Sequence, residues 1–457
     1  MIIHLYFSDF PDHNSARIVL AESALIASTD VASYKAALEK EREHVKKLAD
    51  STANVVVIIM RMPAWLSTSS DSSPVGDAGW KEYQAHSPKD YAKWRELMQI
   101  TGTFFAGFPQ THVYYEVWNE PDLFSWKESS DAYLRLYKET ATALRKADPQ
   151  GKIGGAGLNG WNGKLVSDTE NLNVKLISFT RQENLPLDFI SWHFFDLDTQ
   201  NITKAKEVYL DAVLKNGYTK IPEFIISEWN APEEFRGTAY SAAMESETLL
   251  TFYENHIGQQ MTAAWEDFNP HPNGLSDYGL VTQSGIKKPV YYVQKFFDEV
   301  ARAEGGIAVV KNKNTRTVAG KEKDGCYSFL FWNYVESPII TAFNYLLEKG
   351  VTREALVNVY GSNKDKLMED IRLGRAANHV WDKEFSEAGD IYSKTERLAS
   401  TENMYTFLLP HANRWGVRDA AAVKNEVREV PVQVAGDTVA LVLSANEVAH
   451  IRLCETR

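Results

Sequence analysis

The sequence predicts an α/β fold, a (β/α)8 TIM barrel followed by a C-terminal β-rich, sandwich-like domain. Three observations carry that expectation. Short apolar runs alternate with helical patterns over roughly the first 300 residues, the signature of parallel strands joined by crossover helices. Two of those runs lead straight into a glutamate, in YYEVWNEP and in FIISEWN. Beyond about residue 304 the alternation gives way to strand-like runs with one helical stretch.

The barrel runs, in order, are IIHLYFS (2–8), NVVVIIM (54–60), HVYYEVW (112–118), KIGGAG (152–157), LDFISWHF (187–194), PEFIISE (222–228) and MTAAWED (261–267). Each is bounded by turn residues or by a helical pattern. The stretch SSDAYLRLYKETATALRKADP places Leu134, Tyr137, Ala141 and Leu144 on one helical face, with Ser130 or Asp131 available as a cap. Further helices are expected around 33–50, 239–256 and 288–303. Seven strands are one short of a closed (β/α)8 barrel. The favoured expectation is a first strand missing ahead of Met1, because the gap from 8 to 54 resembles one elaborated βα unit. The alternatives are a strand inside ARIVLAESALIA (16–27) or an irregular segment in its place. The barrel is assigned to 1–303. Residues 304–457, with the runs GIAVVKN, CYSFLFWNY, TFLLPH, VPVQVAG and AHIRLCE and a helical insertion at about 351–373, form the accessory domain.

Composition narrows the partners. Asp and Glu outnumber Lys and Arg by 61 to 49, a formal charge of -12, which argues against nucleic acid or an anionic membrane surface as partner. No run of about 18 apolar residues is present, and the start lacks the basic and apolar regions of a signal peptide. A cytoplasmic protein and a secreted one whose leader has been removed would look alike. Cys326 and Cys454 are the only cysteines, and their spacing fits neither a metal site nor a disulfide framework. They are free to pair or to remain buried thiols.

The chemistry lies in the strand ends. In a barrel all C-terminal strand ends open onto one site, so Glu120, after the third run, and Glu228, in the sixth, can face one pocket across the mouth. Burying two carboxylates there is costly unless they are used or paired. Two glutamates so placed suit glycoside hydrolysis with retention, in which one carboxyl protonates the leaving oxygen and the other attacks the anomeric carbon, about 5 to 5.5 Å apart. Glu120 is the candidate acid and base, Glu228 the candidate nucleophile, and Asn119 a donor to a sugar 2-hydroxyl. Other chemistries fit less well. GKIGGAGLNG (151–160) lacks the Lys and Ser/Thr of a P-loop and reads as a tight strand-to-loop turn. His271 has no H-E-x-x-H helix around it, and Ser227 has no G-x-S-x-G elbow. No metal and no cofactor are expected.

Trp118-Asn119-Glu120-Pro121 at one strand end, with Glu228 three strands later, resembles the clan A glycoside hydrolases. Within the clan, MRMPAWLS (60–67), SWHFF (191–195), SEWN (227–230) and GLVTQSGIKKPVYYVQKFF (279–297) make family 39, the β-xylosidase and α-L-iduronidase family, the nearest match. The resemblance implies that Glu120 and Glu228 end barrel strands 4 and 7, that His193 lines the pocket from strand 6, and that Trp265 forms an aromatic floor from strand 8. It implies that His4 corresponds to a strand 2 histidine, although Ile2 stands where an arginine is expected just before it. Phe194 and Phe195 stand where a tyrosine is expected near the nucleophile. Trp65 and Trp161 line outer subsites or simply pack. The expected substrate is an oligosaccharide or polysaccharide, with a β-xyloside first. Arabinosides, galactosides, uronides, endo-action on an exopolysaccharide, or a barrel that binds sugar without cleaving it are the alternatives.

Overall fold

The computed structural model describes residues 15–76, 79–159, 171–196, 198–232, 235–238, 240–268, 277–312, 315–335, 337–361, 363–399, 402–408, 414–435 and 437–456. They fall into two compact units. One comprises the described residues of Met1–Glu234 with Thr248–Ile286, the other those of Phe235–Glu247 with Lys287–Arg457. The helix Pro289–Ala301 therefore groups with the second unit.

The first unit is built on seven parallel strands, β1 (Ser15–Ile18), β2 (Asn54–Ile59), β3 (His112–Val117), β4 (Lys152–Leu158), β5 (Phe189–Phe194), β6 (Glu223–Trp229) and β7 (Gln259–Thr262), hydrogen-bonded in that order. Helices cover the outside, and the sheet curls far enough that Ser15 on β1 donates to the Gln259 side chain on β7 at 2.7 Å. Five of the predicted runs are strands, and the run 261–267 overlaps the last strand only at Met261 and Thr262. The strand beside β2 is Ser15–Ile18; the predicted run 2–8 lies outside the described residues. The segment considered as an alternative, ARIVLAESALIA, thus supplies a short strand at its start and then the helix Leu20–Ala27.

Strand alternation sorts the side chains. Val56, Tyr114, Phe189, Ile225 and Met261 meet as one apolar cluster drawn from five strands. Two residues further along three strands, toward the C-terminal ends, stand Glu116, Ser191 and Ser227, all buried. The outward set packs on the helices, as where Trp192 meets Tyr209 edge to face at 5.3 Å. The amphipathic helix between β3 and β4 runs Ser130–Ala147 and buries Leu134, Tyr137, Ala141 and Leu144 as its spacing predicts. Its cap is Ser129, one residue earlier than expected, whose hydroxyl accepts from the Ala132 amide at 3.2 Å.

The second unit holds an antiparallel six-stranded sheet and a three-stranded one. In chain order its strands are β8 (Ala308–Asn312), β9 (Thr315–Lys321), β10 (Tyr327–Asn333), β11 (Glu402–Leu408), β12 (Trp415–Val423), β13 (Val427–Glu429), β14 (Gln433–Ala435), β15 (Thr438–Ser444) and β16 (Val448–Glu455). The large sheet orders them β8-β9-β10-β16-β12-β13, and the small one β11-β15-β14. Phe329, Phe331, Leu441, Leu443, Ile451 and Leu453 lie in one core, as a sandwich requires. The helical insertion is larger than the expected 351–373. It contains Pro338–Glu348, Arg353–Tyr360, Lys364–Leu373 and Asp382–Ala399, with its own core around Leu346, Leu356 and Phe385.

Cys326 and Cys454 are joined by a disulfide. The pairing follows from register, since their neighbours Tyr327 and Leu453 are direct partners between β10 and β16. The bond closes a span of 128 residues, so it constrains the unfolded chain strongly. Cys326→Ser is expected to lower the stability of this unit by about 2–4 kcal/mol, read from chemical denaturation followed by fluorescence. The parent midpoint should fall in reductant and the variant's should not; equal midpoints for both proteins without reductant would contradict the assignment.

Candidate active site

Four side chains converge at the C-terminal ends of the strands around one guanidinium. Arg17, on β1, is 5% exposed. Its Nε donates to Glu116 Oε2 on β3 at 2.8 Å, and a terminal nitrogen approaches the same oxygen at 2.7 Å. The other contacts are Glu228 Oε2 on β6 at 3.3 Å, Asn119 Oδ1 at 2.6 Å and His193 Nε2 on β5 at 3.5 Å. A cation out of water is tolerable only when it is paired this fully. Burial pushes the Arg17 guanidinium down, but the Glu116 and Glu228 charges outweigh it and hold it above its ordinary value. For Glu116, burial pushes the carboxyl up, and Arg17 and His193 outweigh that, holding it below the usual carboxylate range.

Glu120 and Glu228 come together on His193. His193 Nδ1 lies 2.9 Å from Glu120 Oε1 and 3.2 Å from Glu228 Oε2. One oxygen of each glutamate and a His193 nitrogen all lie within 4.8 Å of one another. His193 is fully buried; burial alone would push it down, but Glu228 and Glu120 hold its pKa above the ordinary histidine value. Asn159 Nδ2 adds a second hydrogen bond to Glu120 Oε1 at 3.2 Å. These three side chains have the donor types and proximity of a metal-binding trio. Arg17, touching Glu228 and His193, already supplies the positive charge there.

Local backbone explains how each side chain is aimed. Between β5 and β6 the register slips: Trp192 pairs with Ile226, but His193 pairs with Glu228, skipping Ser227. That irregularity turns Glu228 into the mouth beside His193, as bulges near active sites commonly do. Past β3 the chain bends sharply, with Trp118 at φ 78° and Glu120 at φ 49°, conformations that cost a non-glycine residue on the order of 1–3 kcal/mol. The Glu120 amide donates to Gly157 O at 2.9 Å, and the Ser125 hydroxyl bonds the carbonyls of Asn119 and Glu120 at 2.6 and 2.7 Å, which hold the bend.

The glycines of KIGGAG lie within β4, not in a turn, and serve close approach. A Cβ on Gly154 would sit 2.2 Å from Phe189 O. One on Gly157, whose φ is 59°, would sit 3.1 Å from Glu116 Oε1 and 3.4 Å from His193 Nε2.

The remaining predicted residues divide. Trp265 is half-buried after β7, and its carbonyl accepts from the Val281 amide at 2.9 Å. Phe194 and Phe195 are buried, and Phe195 meets the Tyr278 ring edge to face at 6.3 Å. Trp65 donates to Ser28 Oγ at 3.0 Å, a packing role. His4, Trp161 and His271 lie outside the described residues. The strand beside β2 is Ser15–Ile18, and it carries Arg17. Sequence reasoning missed both Arg17 and Glu116, although Ser15 and Arg17 alternate with apolar Ala16 and Ile18, and Glu116 with Tyr115 and Val117. The polar loop 68–84 folds back by pairing Pro74–Val75 with Trp80–Lys81. It rests on Phe124, whose ring is 6.1 Å from that of Trp80, so the loop borders the segment that carries Glu120.

A carboxylate pair at the mouth of parallel barrel strands is an arrangement compatible with glycoside chemistry. The model of glycosyl hydrolases family 39 matches residues 62–361, and the chain belongs to that family. It is 24% identical over 284 residues to a beta-xylosidase of Geobacillus stearothermophilus, covering 54% of this chain and 53% of that protein. The chain spans about half the length of the curated relatives it matches. Among solved structures, a family 39 enzyme from Xanthomonas axonopodis pv. citri superposes with a TM-score of 0.60 at 14% identity, over 98% of this chain and 95% of that one. A monomeric beta-xylosidase from Caulobacter crescentus CB15 gives 0.59 at 14% identity, over 97% and 96%. At such identity the likeness is one of fold. No described helix is long and apolar enough to cross a membrane.

Gly157→Ala tests the packing of the site. It forces a side chain into a left-handed backbone and against Glu116 and His193, so stability should fall by more than about 1 kcal/mol and turnover with it. Thermal unfolding together with steady-state kinetics reads both, and an unchanged kcat would contradict the close approach.

Proposed function

We propose that this chain is a retaining glycosidase that cleaves β-D-xylosides by double displacement, with Glu228 as nucleophile and Glu120 as acid and base. The observation that carries the reading is the spacing of the two carboxylates, one oxygen of Glu120 lying within 4.8 Å of one oxygen of Glu228. That is the range of a retaining pair; an inverting pair leaves about 6.5–9.5 Å for a water. The choice of sugar is supported by the relatives named beta-xylosidase.

In the first step a Glu228 oxygen attacks the anomeric carbon while the glycosidic bond breaks, and the Glu120 proton passes to the leaving oxygen. In the second, Glu120 takes a proton from water, the hydroxide oxygen attacks the same carbon, and the ester to Glu228 breaks. The surrounding residues prepare these roles. His193 and Asn159 hold Glu120 from two directions. Asn119 gives its carbonyl oxygen to Arg17, which turns its amide N–H groups away from the guanidinium and toward a sugar 2-hydroxyl. The proton and the nucleophile both come from carboxyl groups, so the reaction calls for no cofactor.

The test is a panel of p-nitrophenyl glycosides with the parent and with Glu120→Ala, azide being added to the variant. The β-xyloside should be the best substrate of the parent. Glu120→Ala should lose about 10²–10⁴-fold on substrates with poor leaving groups. Azide should restore its turnover and yield a β-glycosyl azide, because azide attacks the glycosyl-enzyme without needing a base. An α-glycosyl azide, or no rescue, would contradict these roles.

A further inference from the structure

Glu116 is as deep as any charged group among the described residues, and the mechanism above does not use it. It is fully buried on β3 and takes two Arg17 nitrogens on one oxygen, at 2.7 and 2.8 Å. The contact from the same guanidinium to Glu228 is longer, 3.3 Å. The cation is therefore shared unequally, tightly with a carboxylate that faces no solvent and loosely with the one at the mouth. Charge-assisted hydrogen bonds weaken as they lengthen, so most of the pairing belongs to Glu116. We propose that Glu116 is a positioning residue, which anchors Arg17 so that only the loose end of its guanidinium rests on Glu228 and the nucleophile keeps its reactivity.

The physical argument is one of competition. A carboxylate gripped closely by a guanidinium is easier to ionise and a poorer nucleophile, whereas one without a cation nearby is harder to ionise beside Glu120. Glu116 sets the balance by drawing Arg17 back. The groups facing Glu116 are Arg17, His193, Tyr133 and the hydroxyls of Ser191 and Ser227; those facing Glu228 are Arg17 and His193, with Glu120 across His193. Among the described residues, only Arg17 touches both carboxylates through short charged contacts. Glu116 packs close to the Gly157 backbone, where an added Cβ would stand 3.1 Å from its Oε1. The inference rests on Glu228 being the nucleophile, as proposed above.

The test is the pH profile of kcat/KM on p-nitrophenyl β-D-xyloside for the parent, Glu116→Gln and Arg17→Lys, with thermal unfolding of each. In Glu116→Gln the shape is kept and the charge is lost, so Arg17 turns to Glu228. The acid limb should move down by about one pH unit, and kcat should fall about tenfold or more while KM changes little. In Arg17→Lys a compact ammonium stays with Glu116 and cannot bridge, so the acid limb should move up. Opposite shifts are the signature of an anchor. Stability losses with both acid limbs unmoved would reduce Glu116 to a packing role and overturn the inference. If Glu116→Gln does not fold, an unmoved limb in Arg17→Lys overturns it alone. Azide rescue of Glu120→Ala separates the two readings: without rescue the retaining roles and this inference fail together, and with rescue but unmoved limbs only this inference fails.

Discussion

The buried guanidinium of Arg17 is the constraint around which the first unit is arranged. An unpaired charge at that depth would cost several kcal/mol, and breaking a buried pair by removing one partner typically costs about 3–5 kcal/mol. The fold meets that demand with groups from several strands: Glu116 from β3, Glu228 from β6, His193 from β5, and Asn119 from the bend after β3. Each of these lies at or just beyond a C-terminal strand end. Satisfying one cation thereby fixes the relative positions of the residues that the proposed chemistry uses, which is preorganisation in a literal sense.

The backbone carries the cost of that arrangement. Trp118 and Glu120 take left-handed conformations, and the register between β5 and β6 breaks beside His193. Ser125 and Gly157 offset the strain by bonding the bend, and glycine at 157 leaves the space that Glu116 and His193 occupy. The left-handed backbone at Trp118 and Glu120 lies where Glu120 is aimed, while Val56, Tyr114, Phe189, Ile225 and Met261 fill the interior below it.

Much of this was legible in the sequence because the signals were local. Apolar runs ending in Glu120 and Glu228 announce strand ends, and the 3.6-residue spacing of Leu134, Tyr137, Ala141 and Leu144 announces a helix face. What stayed hidden depends on distant pairing. Ser15–Ile18 is only four residues long and carries an arginine, so no run-based reading separates it from the helix that follows; its partner β2 defines it. Glu116 sits inside an aromatic run where its charge has no visible counterpart until Arg17 is brought to it, 99 residues away. The disulfide follows from the register of β10 on β16, which spacing alone does not contain. The strands β9 and β12 are hard to read because TRTVAGK and WGVRDAAAV mix polar and small side chains, and their pairing within the sheet is what makes them strands.

The account turns on a covalent glycosyl ester at Glu228, and trapping it is the direct measurement. A 2-deoxy-2-fluoro-β-D-xyloside with an activated leaving group slows the second step more than the first, so the intermediate accumulates. Incubation with the parent, proteolysis and mass spectrometry should place one fluoroxylosyl group on the peptide containing Glu228, with loss of activity in proportion to labelling. A label on any other residue, or turnover of the parent substrate with no covalent species trapped, would contradict the mechanism built on this site.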